Sequence, residues 1–435
     1  MTNDGGAVNR KAVFAWAMYD FANSAFTTLV VTFIYATYFT QAIAPDPISG
    51  TVLWSRAVTI SALAVALLSP FFGALADSGQ RRKYYLIIFT VLSITCTVAL
   101  FGPLPGQVYP ALALFALGNF GFEMGCVFYN AYLPDLAPAK KIGRISGYSW
   151  GIGYVGGLAA MFLAMITMVN PETPWFGLSR NLGENIRATN LLTAAWFAIF
   201  SLPLIVLVKD PHHPSPAGQP SFSAAIADLA KTFHELRRYE QIVRFLLARL
   251  LFNDGLITIF AFGGIYAAGT FNFSFQEIMY FGIVLNVAAG AGAFAFGYYD
   301  DIHGGKNTII LSLIGLTIAA SIAAVTTSRG LFWLSGILVG LFSGPNQSAS
   351  RSLMARFIPT DKEGQFFGFF AFSGKFTAFL GPLLFGVCTE IFGTQRAGVA
   401  SVILFFAAGG VILLFVDEKK GCLHHSQQTP MQPEG

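Results

Sequence analysis

The sequence is poor in charged residues and in cysteine. Only 11% of its 435 residues are Asp, Glu, Lys or Arg, whereas 54% are hydrophobic. Soluble domains carry about 25% charged residues, so a water-soluble fold is excluded and the lipid bilayer is the predicted solvent. The four cysteines have no metal-ligand spacing, and a net charge of +4 spread along the loops predicts no nucleic-acid partner.

The sequence signatures of common enzymes are also missing. There is no glycine-rich run followed by Lys-Ser or Lys-Thr, no His-Glu-x-x-His and no Gly-x-Ser-x-Gly. We therefore predict that the protein is not an enzyme and needs no cofactor and no metal ion.

Long apolar runs make up most of the sequence. A helix needs about 20 apolar residues to cross a bilayer. Twelve windows qualify, at approximately 13–40, 53–76, 84–102, 108–133, 145–169, 188–208, 243–268, 277–299, 307–327, 331–357, 365–391 and 396–416. The predicted fold class is an all-α polytopic membrane protein with 12 transmembrane helices.

Most Lys and Arg residues fall in loops on one side of these spans. This asymmetry predicts that both termini are cytoplasmic, as an even number of spans also requires. The predicted division is a six-helix bundle at 1–208, a cytoplasmic linker at 209–241, a second six-helix bundle at 242–416 and a cytoplasmic tail at 417–435. Apolar residues at three- and four-residue steps between Phe222 and Leu236 predict an amphipathic helix in the linker, either a structural tie or a regulatory element.

The two halves repeat each other. Gly73 to Asp77 and Gly297 to Asp301 share one glycine–acid spacing at an offset of 224 residues. A second series matches at an offset of 221 residues, pairing Pro138, Gly143, Gly147 and Gly153 with Pro359, Gly364, Gly368 and Gly374. Two motifs at nearly one offset indicate a duplicated six-helix unit, and parallel repeats of this kind place substrate at the bilayer midplane between the halves.

The glycine–acid–basic loops resemble the signature of the major facilitator superfamily. Longer stretches are similar to its vacuole-effluxer-like branch, namely Trp16–Ser24, Tyr132–Asp135, Gly143–Gly147, Phe252–Gly255, Gly263–Phe271 and Gly344–Gln347. The resemblance implies two pseudo-symmetric six-helix bundles that work by alternating access. Fungal members of the branch return amino acids from the vacuole and have longer loops, so this compact chain resembles a bacterial member of the inner membrane.

Four charged residues fall deep inside the apolar spans: Asp20, Glu123, Asp254 and Lys375. A charge at the bilayer centre costs about 3 kcal/mol on insertion scales, so such residues indicate function. With polar neighbours at helical spacing they make up the predicted substrate and proton cavity, formed by Asp20, Asn23, Asn119, Glu123, Asn253, Asp254, Asn346, Gln347 and Lys375. The alternatives are structural: Asp20 could pair near the cytoplasmic entrance, and Asp254 could pair with Arg249 or Lys375.

A second group of residues is predicted to form gates near the cytoplasmic ends. In the resembled family the loop acid and its basic cluster form a gating charge network. The matching residues here are Asp77, Arg81, Arg82, Asp301 and Lys306, to which Arg351 near the end of span ten is added. The second loop departs from the family pattern, because Ile302 and Gly305 stand at basic positions.

The leading hypothesis is a secondary active transporter of a small polar solute, plausibly an amino acid or related zwitterion, acting by proton-coupled efflux. Three acids and one base suit a zwitterion, because its ammonium would bind a carboxylate and its carboxylate would bind Lys375. An apolar site favours the protonated form of a carboxyl group, which suits Glu123 as proton carrier. Two alternatives stay open, a proton-coupled exporter of amphipathic compounds and a non-transporting receptor on the same fold. The expected partners are the solute, protons and the lipid bilayer, and the expected state is a monomer.

Overall fold

The computed structural model describes residues 9–210, 222–234, 236–359 and 362–422, and these residues form helices and no strand. Twelve long helices follow one another: α1 Arg10–Ile43, α2 Pro47–Ser78, α3 Arg82–Ala99, α4 Val108–Leu136, α5 Ile142–Val169, α6 Thr189–Leu207, α7 Glu240–Phe271, α8 Phe275–His303, α9 Gly305–Val325, α10 Arg329–Phe357, α11 Glu363–Phe392 and α12 Gln395–Leu414. The all-α prediction is confirmed. We call residues 9–210 the first half and residues 236–422 the second half.

Eleven helical segments of the described chain are long and apolar enough to cross a membrane. The helix that falls short is α10, which has 29 residues but carries Asn346, Gln347, Ser350 and Arg351 in succession after an internal Pro345. Asn346, Ser350 and Arg351 of this polar stretch are at most 2% exposed, so it packs against protein rather than lipid.

Successive helices run in opposite directions, so both ends of the described chain lie at one face of the bundle. We call this the termini face and the other the opposite face. The linker helix, Phe222–His234, lies at the termini face, where Thr232 is buried and donates to Gln365 of α11. Residues 211–221 of the predicted linker and 423–435 of the predicted tail lie outside the described residues.

Two helices depart from regular α geometry near the predicted cavity. In α1, π-helical turns occupy Phe26–Phe33, directly after Asp20 and Asn23. In α11, the regular helix ends at Lys375 and resumes at Leu380. Such irregularities are frequent at functional sites because they change the direction in which neighbouring side chains point.

The repeated glycines lie where the two halves approach most closely. A Cβ atom on Gly73 of α2 would lie 2.2 Å from the Gly364 carbonyl oxygen of α11, and one on Gly147 of α5 would lie 2.3 Å from the Ala293 carbonyl oxygen of α8. Only glycine permits such backbone contact. The contacts α2–α11 and α5–α8 are therefore related by the repeat, and both lie toward the termini face.

We expect Gly73→Ala to shift the protein toward a conformation that is open at the termini face. The new methyl group collides with backbone of α11 that cannot move aside unless the halves separate. Ser69 is buried at this contact and donates to the Gly368 carbonyl at 2.9 Å, so a Ser69→Cys reporter in a background without other cysteines should react with a water-soluble thiol reagent about tenfold faster. Gly386→Ala is the matched control, because nothing lies within 4 Å of a Cβ atom there. Unchanged labelling of Gly73→Ala would contradict the expectation.

Candidate functional site

Glu123 and Lys375 form an ion pair between the two halves. The Lys375 Nζ atom lies 2.6 Å from Glu123 Oε1, and the two side chains are 30% and 20% exposed. Lys375 stands 12 residues into α11, about 18 Å along the helix axis at 1.5 Å per residue. The pair thus joins α4 and α11 near mid-membrane depth and keeps part of its surface accessible.

Arg249 and Asn253 of α7 lie beside this pair, against the α11 backbone that leads to Lys375. Arg249 donates to the Phe370 carbonyl at 2.7 Å and to Ser373 Oγ at 2.9 Å, and Asn253 donates to the Gly374 carbonyl at 2.9 Å. The bond from Asn253 satisfies one of the last carbonyl groups before the break in α11. These bonds hold Lys375 in position and place a second cation near Glu123.

Asp20 and Arg351 form a second ion pair between the halves. The Arg351 Nη1 atom lies 3.0 Å from Asp20 Oδ2, and Arg351 is 2% exposed. The Asp20 carboxylate also accepts from Ser149 Oγ at 2.7 Å. Cys126, three residues after Glu123 on α4, accepts a weak bond at 3.9 Å from Asn23, three residues after Asp20 on α1, so the two pairs share one region.

Asp254 does not join these pairs. It is 1% exposed, its Oδ2 atom has no hydrogen-bond partner, and it is in no ion pair with another described residue. The alternative that it pairs with Arg249 or Lys375 is wrong. Successive residues of a helix point about 100° apart, so Asp254 faces away from the pair that its neighbour Asn253 supports.

Two predicted cavity amides also bond within their own halves. Asn119 donates to Ser61 Oγ and Asn346 donates to Ser312 Oγ, each at 2.9 Å. Both are buried, whereas Gln347 is half-buried beside Tyr154. The amides of Asn119 and Asn346 hold neighbouring helices together in this conformation.

At the termini face, a buried arginine binds three carboxylates. Arg82 contacts Asp77 at 3.2 Å, Asp135 at 3.0 Å and also Glu363 of the second half, and its side chain is 5% exposed. Asp77 in turn accepts from the backbone N–H groups of Gly364 at 3.0 Å and Gln365 at 2.7 Å. It therefore caps the N-terminus of α11 from the other half.

The second copy of the repeat makes the equivalent contact at the same face, between α8 and α5. Asp301 accepts from the backbone N–H of Gly143 at 2.9 Å and of Arg144 at 3.3 Å, capping α5, and pairs with the Arg144 side chain. Gly305 is the first residue of α9 as Arg82 is the first residue of α3, so the second half has no side chain where the first half has Arg82. The missing cation comes from Arg356 of α10, which contacts Asp300 at 2.6 Å.

Two residues in the predicted gating set lie elsewhere. Arg81 is exposed and is in no ion pair with the described residues, because Arg82, one residue on, faces the interface. The Lys306 Nζ atom donates to the carbonyls of Leu414 and Val416 at 2.8 and 2.6 Å, within the second half.

Sequence reasoning missed Asp135, Glu363, Asp300 and Arg356 as network members. One signal was available: Asp135 and Arg356 are 221 residues apart, the offset of the repeat. Asp135 of the first half is thus replaced by Arg356 in the second half, and Arg356 supplies the positive charge that Gly305 lacks. Over the described residues, no group of three or more His, Cys, Asp or Glu side chains could hold a metal ion.

The hydrogen bonds and ion pairs described above between the halves lie between the termini face and the Glu123–Lys375 pair. The bundle is therefore held shut at the termini face.

Comparison with known proteins agrees with this architecture. The family model described as "Vacuole effluxer Atg22 like" matches residues 48–425. The MFS-type transporter YxiO of Bacillus subtilis is 27% identical over 430 residues, covering 96% of this chain and 97% of the relative. Autophagy-related protein 22-1 of Neosartorya fischeri is 22% identical over 459 residues, covering 83% of this chain and 74% of the relative. The crystal structure of the proton:xylose symporter XylE superposes with a TM-score of 0.73 at 14% identity, covering 94% of this chain and 96% of that one, and shows the fold alone.

Proposed function

We propose a transport mechanism from the premise that this chain belongs to the vacuole effluxer Atg22-like family of the major facilitator superfamily. It is a multi-pass membrane protein and a secondary transporter, not an enzyme. The transported solute, the coupling ion and the direction are the proposed parts: a small zwitterion such as an amino acid, exported in exchange for protons.

The Glu123–Lys375 pair carries this proposal. Its two ends offer a carboxylate to an ammonium group and an ammonium to a carboxylate, so a zwitterion can replace each partner with its own opposite charge. The pair also bridges α4 and α11, and its exchange for solute therefore removes one link between the halves. Among the described residues, no other ion pair between the halves has both side chains at least 20% exposed.

Proton coupling is proposed at the same carboxylate. Protonation of Glu123 cancels its attraction for Lys375 and equally its attraction for a solute ammonium group. A proton and a solute ammonium compete for Glu123, and such competition couples the flow of one to the opposite flow of the other.

Orientation and membrane are proposed from the loop charges and the compact length. The basic loops lie at the termini face, so this face is taken as cytoplasmic and the membrane as the bacterial inner membrane. The conformation described would then be closed toward the cytoplasm. The protein is proposed to act as a monomer.

Reconstitution into liposomes tests the proposed function. With a transmembrane pH gradient imposed, we expect a radiolabelled amino acid to exchange at a rate that falls when the gradient is dissipated by a protonophore. Glu123→Gln should remove the dependence on the gradient. Glu277→Gln is the matched control, because Glu277 forms an exposed pair with Arg329 at 2.7 Å, far from the site. Solute binding without flux would instead support a receptor.

A further inference from the structure

We propose that the first half contains a binding site for an organic cation, an alkylammonium or guanidinium group of the solute, which Arg351 occupies while the termini face is closed. The site consists of the rings of Trp16, Tyr129 and Trp150 and the carboxylate of Asp20, and we call it the cation cage. The inference rests on the proposed alternating-access transport, because that motion would empty the cage.

The guanidinium of Arg351 is surrounded as a bound ligand would be. Its Cζ atom lies 4.8 Å from the Trp16 ring centroid, 5.6 Å from that of Trp150 and 5.7 Å from that of Tyr129. Aromatic faces within about 6 Å attract an organic cation through the ring quadrupole. Three rings around one cation, together with the carboxylate of Asp20 at 3.0 Å, form the arrangement that recognises such groups.

All the hydrogen-bond partners of Arg351 belong to the first half. Besides Asp20, its guanidinium donates to Ser146 Oγ at 2.9 Å, to the Ser146 carbonyl at 2.7 Å and to Asn130 Oδ1 at 3.3 Å. Arg351 itself lies on α10 of the second half. The cage is therefore complete without the helix that fills it.

Bonds within the first half keep the cage in shape. The rings of Trp16 and Tyr129 stack with centroids 4.7 Å apart, and Trp16 Nε1 donates to the Tyr129 carbonyl at 2.9 Å. The Tyr129 hydroxyl and Ser149 Oγ are 2.6 Å apart, and Ser149 donates to Asp20. These contacts do not involve Arg351, so the cage persists when the arginine leaves.

Opening of the termini face would withdraw Arg351 from the cage. The Asp20 carboxylate would then keep the neutral hydroxyl groups of Ser149 and Tyr129 as partners and no positive charge, and a carboxylate in such a place requires a new cation or a proton. A proton would use the carboxylate alone. The three rings favour an organic cation, which contacts both rings and carboxylate.

Arg351 thus competes with a cation ligand for the cage. A substitution that weakens the binding of residue 351 in the cage should therefore strengthen cation binding. The probe is methylguanidinium chloride, with sodium chloride at equal ionic strength as reference, added to the purified full chain. Binding is followed by the thermal unfolding temperature and by tryptophan fluorescence. We expect the Kd of Arg351→Gln for methylguanidinium to be at least about tenfold lower than that of the wild type, because the occupied cage reduces apparent affinity.

Matched variants distinguish binding in the cage from a general effect of the substitution on the protein. Adding Asp20→Asn to Arg351→Gln should abolish the saturable response, whereas Arg329→Gln should bind as the wild type does, since Arg329 forms an exposed pair with Glu277 outside both the cage and the gates. Arg351→Lys keeps the charge and loses part of the hydrogen bonding, so it should give a smaller gain even if Arg351→Gln does not fold.

Equal or weaker binding in both Arg351 variants would overturn the proposal. So would a response that survives Asp20→Asn, or one that depends on pH alone and not on methylguanidinium. Binding is measured without flux, so the two proposals fail separately. A protein that binds the probe but moves no solute refutes the transport function and not the cage. A protein that moves solute but does not bind the probe refutes the cage alone.

Discussion

Arg82→Met is expected to destabilise the protein by about 3–5 kcal/mol, the loss that follows when one partner of a buried ion pair is removed. Arg82 is the shared cation of Asp77, Asp135 and Glu363, whose side chains are 4%, 15% and 3% exposed. Without it, three carboxylates face one another in a place with little water. Thermal unfolding in detergent measures the loss.

The pH dependence of this loss follows from the charges involved. Carboxylates that become protonated need no counter-ion, so the difference between Arg82→Met and the wild type should shrink as the pH is lowered. Adding Glu363→Gln removes one of the three negative charges and should recover part of the stability. Arg81→Met is the control, because Arg81 is the adjacent but exposed arginine. Equal unfolding temperatures for Arg81→Met and Arg82→Met would show that the network does not stabilise the closed state.

Lys375→Met is expected to lower the rate of solute transport by about 30-fold or more, since truncating one member of a hydrogen-bonded charge pair costs about 2–5 kcal/mol. Lys375 is the proposed partner of the solute carboxylate and the observed partner of Glu123 at 2.6 Å. Flux through reconstituted liposomes, corrected for the amount of folded protein, is the measurement. Arg329→Met, which removes an exposed pair, should transport normally.

The double variant Lys375→Met with Glu123→Gln distinguishes the two interpretations of this pair. If Lys375 only neutralises Glu123, removal of both charges restores transport. If each charge binds one end of a zwitterion, the double variant stays inactive. Full transport by Lys375→Met alone would show that the lysine does not anchor the solute.

Two contacts close the termini face, and they have the same arrangement but different residues. In the first half, an acid at the end of α2 caps α11 of the second half. In the second half, an acid at the end of α8 caps α5 of the first half. At each place a buried arginine forms an ion pair with an acid. The arginine comes from α3 in the first half and from α10 in the second. This exchange keeps a buried arginine at both gates while the sequences of the two loops diverge.

The sequence by itself determined the fold class, the helix count and the repeat. Apolar runs of bilayer length require helices, because backbone groups in lipid must bond within their own segment. The glycines at constant offset marked the two contacts between the halves, because only a residue without a side chain allows backbones to meet there. The deep positions of Asp20, Glu123, Asp254 and Lys375 were likewise apparent from their place along each span.

Only the tertiary structure decided which of these charges meet. Glu123 pairs with Lys375, Asp20 with Arg351, and Asp254 with neither Arg249 nor Lys375. Partners 252 and 331 residues apart are chosen by the way two bundles dock. A rotation of about 100° per residue along each helix then determines whether Arg81 or Arg82, and Asn253 or Asp254, faces the interface. Spacing along one helix fixes relative directions, but the direction of the partner helix is a property of the assembled fold.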